Sequence, residues 1–137
     1  MYITVQNLED ELGGQNRLIE ALDDSGSGTL DTILAGRICQ RASDAVDSFL
    51  SGRYIVPLSP VPKLAVEAAI IFACEQIYNR RRQGVDQKNP YSGRANDLRD
   101  RLKLIADRKE SLDATERPAF VPGAIIGEES RTKGTSL

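Results

Sequence analysis

A chain of 137 residues is long enough for one domain with its own core and short for two. Its 40% hydrophobic and 28% charged residues, with a net charge of −2, are those of a folded globular chain and exclude a disordered one. Histidine is absent, which removes the commonest general base, the commonest zinc ligand and every Ser-His or Cys-His nucleophile pair.

Thr4 is placed to cap a short helix over Val5–Leu12, with Val5, Leu8 and Leu12 on one face and Gly13-Gly14 ending it. A second short helix is expected over Gln15–Leu22, with Leu18, Ile19 and Leu22 apolar. Asp23–Leu30 (DDSGSGTL) reads as a turn. Asp31 or Thr32 then caps a long helix to about Ser51, whose stripe is Leu34, Ile38, Ala42, Ala45, Val46, Phe49 and Leu50. Gly52 stands where a left-handed C-cap belongs.

Arg53–Pro62 (RYIVPLSPVP) cannot be helical, because Pro57, Pro60 and Pro62 force an extended path that presents an Arg, a Tyr and a Leu. Pro62 suits the first turn of the next helix, Pro62–Gln83, ended by Gly84. Its stretch Leu64–Cys74 is apolar on nearly every side except Glu67, so it is expected to be the central buried helix, with Glu67 paired to Arg37 or Arg41. Asn89 and Pro90 look like the N-cap and first position of a last helix running to Leu112, weakened at Gly93 and striped by Leu98, Leu102, Ile105 and Leu112. From Asp113 onward Pro and Gly interrupt any helix, and only Ala119–Ile126 is apolar enough for a short strand or an adhesive segment.

The expected fold is therefore all-α: three main helices plus one or two short N-terminal ones in residues 1–112, and an extended C-terminal tail over 113–137. Cys39 and Cys74 fall in helical apolar patterns, so two buried free thiols are expected rather than a disulfide framework. There is no 18-residue apolar run and no basic-then-apolar start, so a chain neither membrane-spanning nor conventionally secreted is expected. Neither GxGxxG nor GxxxxGK[ST] occurs. The Asp23–Gly28 turn has the glycine of a calcium loop at the right place, but Ser25, Ser27 and Leu34 stand where such a loop needs its ligands. No enzyme activity, cofactor or metal is expected.

The net charge hides a segregation. Residues 1–31 carry one Arg against seven acids, a balance of −6, whereas residues 80–110 carry ten Lys or Arg against five acids, a balance of +5. That asymmetry is compatible with solvated helix faces, intramolecular pairing, nucleic-acid contact, or head-to-tail contact between identical subunits. Arg80, Arg81 and Arg82 end the central helix, where cations interact favourably with the helix terminus; they are also candidates to meet phosphates or an acidic partner.

The run Gly52-Arg53-Tyr54-Ile55-Val56-Pro57-Leu58 is the most distinctive in the chain. A long helix ending D-x-x-L-x-G-R-Y-x-x-P-L, a Pro-rich link, and an apolar helix ending in Tyr and Arg together resemble the Mu-like prophage family of small head–tail joining proteins. The matching residues are Asp47, Leu50, Gly52, Arg53, Tyr54, Pro57, Leu58 and Pro62, then Tyr78 and Arg80–Arg82, with Met1–Leu8 and Asp23–Asp31 matching upstream.

The resemblance implies a head-completion adaptor of a tailed phage. Such adaptors form a ring, commonly of twelve subunits, under the portal protein, joined on the other side to a tail-side stopper or tail terminator. DNA passes through the ring without sequence-specific contact, and the expected location is the virion neck, with the host cytoplasm during assembly. The charged halves could supply the two unlike faces that a ring requires. Phe120, Val121, Ile125 and Ile126 are candidate anchors to a neighbour or to the portal, alongside Arg80–Arg82. The alternative is a small DNA-binding accessory protein using the basic 80–110 segment.

Overall fold

The computed structural model describes residues 1–81 and 88–118, the Arg81 side chain excepted. Five helices follow in order: α1 (Val5–Leu12), α2 (Gln15–Leu22), α3 (Thr32–Leu50), α4 (Lys63–Arg81) and α5 (Ser92–Ala106). Among the described residues there is no strand, only one isolated antiparallel bridge between Tyr54 and Glu116. The chain is all-α, as expected, with three long helices and two short N-terminal ones.

Side-chain caps start α1 and α3. At α1, the Thr4 hydroxyl accepts from the Asn7 amide at 3.4 Å while the Asn7 side-chain oxygen accepts from the Thr4 amide at 2.8 Å, so each satisfies an orphan donor of the other. At α3 it is Asp31, whose carboxylate accepts from the Leu34 amide at 3.0 Å. α1 ends at Gly13, φ +96°, and the Gly14 amide reaches back to the Glu9 carbonyl at 2.8 Å.

The core is centred on α4, which touches each of the other helices. Ala65, Ala68, Ala69, Ile71, Phe72, Ala73, Cys74 and Ile77 of α4 are all buried, which is why its apolar residues do not keep to one stripe. α3 buries Ile38, Ala42, Val46 and Leu50 of the predicted stripe against it, together with Ala35, Cys39 and Ser43. Each Leu or Ile so buried contributes about 1.5–3 kcal/mol.

Several expectations need correction. Gly52 is not a left-handed cap: α3 closes through Ser51 in right-handed geometry (φ −62°, ψ −23°), and Gly52 is not among the glycines with positive φ. The Arg53 and Tyr54 amides both bond to the Leu50 carbonyl, at 3.0 and 2.8 Å, so a tightened right-handed turn carries the chain inward without a left-handed residue. Pro62 lies just before α4 rather than in its first turn; its carbonyl accepts from Ala65 and Val66. Glu67 is exposed and pairs with neither Arg37 nor Arg41 among the described residues. The expected end of this helix at Gln83 lies outside the described residues.

The last helix is shorter at both ends than its pattern predicts. Asn89 works in both directions: its side-chain oxygen accepts from the Tyr91 amide at 2.9 Å, while its side-chain nitrogen donates to the Glu75 carbonyl (2.8 Å) and to Asn79 (2.9 Å), pinning the turn to α4. Tyr91 follows, buried and 5.4 Å from Tyr78 between ring centroids, so α5 begins only at Ser92. It stops at Ala106 because Arg108 adopts φ +66° and the Lys109 amide returns to the Leu104 carbonyl at 2.8 Å. That is a Schellman ending with Arg where glycine is usual. Leu112 is partly buried beyond it, outside the helix.

Residues 111–117 do not leave the body at once. The Leu112 amide donates to the Tyr54 hydroxyl at 2.8 Å, the Ile55 amide to the Thr115 carbonyl at 3.0 Å, the Thr115 amide to the Ser59 carbonyl at 3.0 Å, and the Arg117 amide to the Arg53 carbonyl at 2.8 Å. This strap lies along the Pro-rich link, which bends through cis bonds at Val56–Pro57 and Ser59–Pro60.

Candidate functional site

The distinctive Gly52–Leu58 run does not present its Arg, Tyr and Leu to solvent. Tyr54, Leu58 and Leu50 are buried, and Arg53 is 7% exposed; Gly52 and Pro57 are exposed, while Asp47 and Pro62 are partly buried. The Arg53 guanidinium is the hub. One nitrogen donates to the Ile105 carbonyl at 2.7 Å and to the Glu110 carbonyl, the other to the Ser111 hydroxyl at 3.1 Å and the Glu116 carboxylate at 3.3 Å. The Ile105 carbonyl, which also accepts from the Arg108 amide at 3.1 Å, lies in the last turn of α5, so Arg53 serves as a cationic C-terminal cap supplied from beyond α3. Its charge also lies 5.0 Å from the Tyr54 ring centroid.

Tyr2 ties the N-terminus into the same end. Its amide donates to buried Ser43 at 2.9 Å, its hydroxyl donates to Asp47, and it accepts from the Leu58 amide at 2.8 Å. Burial, then the bond to the Asp47 carboxylate, pushes the Tyr2 hydroxyl up to about 12. The Met1–Leu8 and Asp47–Leu58 portions of the motif are thus one contact set. Tyr2 carried no assigned role in the sequence, and only the chance pairing of Tyr with Asp 45 residues away shows it.

The charge segregation is partly consumed inside the chain. Arg80 pairs with Asp24 and Arg94 with Glu11 at 3.9 Å, both joining the basic segment to the acidic third. Arg99 pairs with Glu75, Arg101 with Glu110 at 3.2 Å and Arg108 with Glu116 at 3.5 Å. Arg80 is the one member of the candidate contact set whose side chain can be placed. The Arg81 side chain, Arg82, Phe120, Val121, Ile125 and Ile126 lie outside the described residues.

The Asp23 turn closes on itself. The Asp23 carboxylate accepts from the amides of Gly28 (2.6 Å) and Ser27 (3.0 Å) and from the hydroxyls of Ser27 (3.1 Å) and Ser25 (3.4 Å). These bonds, the Gly28 amide first, hold its carboxyl below the usual range. Among the described residues no group of three or more Asp, Glu, Cys or His could hold a metal, and no helix is long and apolar enough to cross a membrane. Cys39 and Cys74 are free and buried; burial raises both thiols, Cys74 to about 12, which keeps them protonated and inert at neutral pH.

Open grooves flank α4 on opposite sides. One, of about 510 Å³, runs between α3 and α4 at the edge of α5, with Phe49 and Phe72 among its apolar walls and Arg41, Arg80, Arg99 and Glu75 among its charges. On the other side α4 meets α1 and α2, where Lys63, Glu67 and Ile70 line one groove with Glu11, and Ile77 and Tyr78 line another with Leu12. In the sequence Phe49 stands as a stripe residue and Arg41 as a partner for Glu67, and neither Arg99 nor Phe72 carries a signal of its own. The four come together only through tertiary packing.

No curated protein matches the chain. A family model does, described as Bacteriophage Mu, Gp36, and it matches residues 2–124, which takes in the strap that holds 111–117 to the Pro-rich link as well as all five helices. The chain belongs to the bacteriophage Mu Gp36 family.

Proposed function

We propose that this phage protein is a non-enzymatic head–tail adaptor: a homo-oligomeric ring, of twelve subunits as in similar adaptors, seated beneath the portal. It lines the DNA channel and joins the capsid to a tail-side stopper or terminator. It acts in the virion neck after assembly in the host cytoplasm, without cofactor, metal or membrane. The observation that carries this reading is the Mu-family match over a chain whose C-terminal strap is clipped to the Pro-rich link. Arg117 is therefore fixed beside Ser51 and Arg53. Phe120, Val121, Ile125 and Ile126 supply apolar anchors to a neighbour. A net charge of −2 suits a channel wall that does not grip passing phosphates.

Heads and tails produced without this chain test the reading. Adding the full chain should join them, and replacing the four anchors by Ser should abolish joining while leaving the helical signal intact. Joined particles formed in the absence of the chain would contradict it. A DNA-binding role for residues 80–110 draws less support, because Arg80, Arg94, Arg99, Arg101 and Arg108 are each paired with a carboxylate of the same chain.

A further inference from the structure

We infer that the groove between α3 and α4 is the acceptor half of a head-to-tail contact, and that its occupant is the acidic outer face of α1 in a second copy of this chain. The inference rests on the homo-oligomer reading above and adds which surfaces meet.

The groove has an apolar floor and a cationic rim. Phe72 and Phe49 face it, the Arg99 guanidinium carbon sits 5.0 Å from the Phe72 ring centroid, and Arg41 is exposed at the edge with no carboxylate partner among the described residues. Arg80 leans in from the end of α4; it pairs with Asp24 through one nitrogen, and its other terminal nitrogen is out of contact with water and has no acceptor. That nitrogen is buried, so a neighbour's carboxylate would meet exposed Arg41 rather than Arg80. Arg99 is answered by Glu75 and Arg80 by Asp24, so Arg41 is the lining arginine without a carboxylate partner among the described residues.

The complement is on the other side of the same molecule. Phe72, Glu75, Gln76 and Asn79 share one face of α4 at i, i+3, i+4, i+7, whereas Lys63, Glu67, Ile70 and Tyr78, which meet α1 and α2, lie on the opposite face. On α1, Leu8 is buried, and Asp10, two residues on, stands exposed about half a turn away. Glu9 and Asp10 have no cation partner among the described residues; Asp10 accepts only from Gln6, at 3.0 Å. A cationic face and an acidic face on opposite sides of one body cannot satisfy each other within a chain. Repeated from copy to copy they form a heterologous contact, the kind from which a ring is built when the rotation between copies closes.

The test uses the full chain and two exposed positions. Arg41→Glu and Asp10→Lys, each checked for an unchanged helical signal, should each raise the concentration midpoint of self-association roughly tenfold or more, since like charges then oppose one another. Both changes in one chain should restore it. Independently, a chain carrying Asp10→Cys and Arg41→Cys, concentrated and oxidised, should give a disulfide-linked ladder extending beyond dimers, which neither single cysteine variant can form. No ladder, or a double reversal that fails to restore association, overturns the proposal. Association indifferent to either reversal moves the subunit contact elsewhere and overturns it too, while leaving the adaptor reading to its own test on heads and tails. Retention on duplex DNA that is lost with Arg41→Glu assigns the groove to phosphates and likewise overturns it.

Discussion

Arg53, just past the end of α3, donates across the fold to the carbonyl of Ile105 in the last turn of α5, 2.7 Å away. The same guanidinium reaches Glu110, Ser111 and Glu116, so a single side chain closes α5 and fastens the strap behind it. Arg53→Met leaves the buried Ile105 contact and three partly buried acceptors without their guanidinium and should cost about 2–4 kcal/mol in denaturant unfolding. Arg53→Lys should recover less than half, because one ammonium cannot span the forked set of acceptors. A Met variant with the wild-type midpoint would refute this role.

Two glycines give opposite expectations. Gly13, at φ +96°, holds the left-handed end of α1, so Gly13→Ala should cost about 1 kcal/mol even though a Cβ meets nothing within 4 Å. Gly52 has no positive φ and equally open surroundings, so Gly52→Ala should change stability by less than about 0.5 kcal/mol. Thermal melting of the pair decides the matter; equal losses would contradict the assigned geometries.

The strap separates two truncations. A chain ending at Pro118 keeps every bond from residues 111–117 to Tyr54, Ile55, Ser59 and Arg53 and should melt like the full chain. A chain ending at Leu112 loses the Thr115, Glu116 and Arg117 contacts and should be measurably less stable. Identical melting of the two shortened chains would show that the strap contributes nothing to the fold.

Alkaline stability depends on Tyr2. Its hydroxyl is raised to about 12 in the fold from 10.0, so the neutral form is the one the fold favours. Between those values the unfolded chain has lost a proton that the folded chain retains, and stability therefore falls as pH rises through that window and is fully present below it. Tyr2→Phe should fall less steeply over the same range, while Tyr91 and the two thiols, also raised, keep part of the slope. Equal slopes for wild type and variant would remove Tyr2 from the account.

Helices with ordinary signals were legible in the sequence. α1 has the Thr4 cap, a terminal Gly13 and a clear apolar face, α2 has an apolar face starting just after Gly14, and both begin and end where those signals put them. α5 was misread at both ends for a physical reason. Asn89 caps only the turn before the helix, at the Tyr91 amide, and gives its side-chain nitrogen to α4; the helix stops at a left-handed Arg108 beside an arginine 55 positions upstream. The contacts of Asn89 with α4 and of Arg53 with α5 leave no local mark. The motif around Gly52–Leu58 was legible as a unit and opaque in purpose: Arg53 and Tyr54 read as presented groups, and packing shows them as internal fastenings. The groove residues Arg41, Arg99, Phe49 and Phe72 come from three helices and converge only after α3, α4 and α5 have packed.

The most direct test of the adaptor reading is the mass of the purified full chain in solution, measured at several concentrations with and without the isolated portal. The account predicts that subunits assemble on the portal into a complex with the mass of a closed ring. A chain that stays monomeric or dimeric, ignores the portal and is retained on duplex DNA with an affinity falling steeply with salt would contradict it.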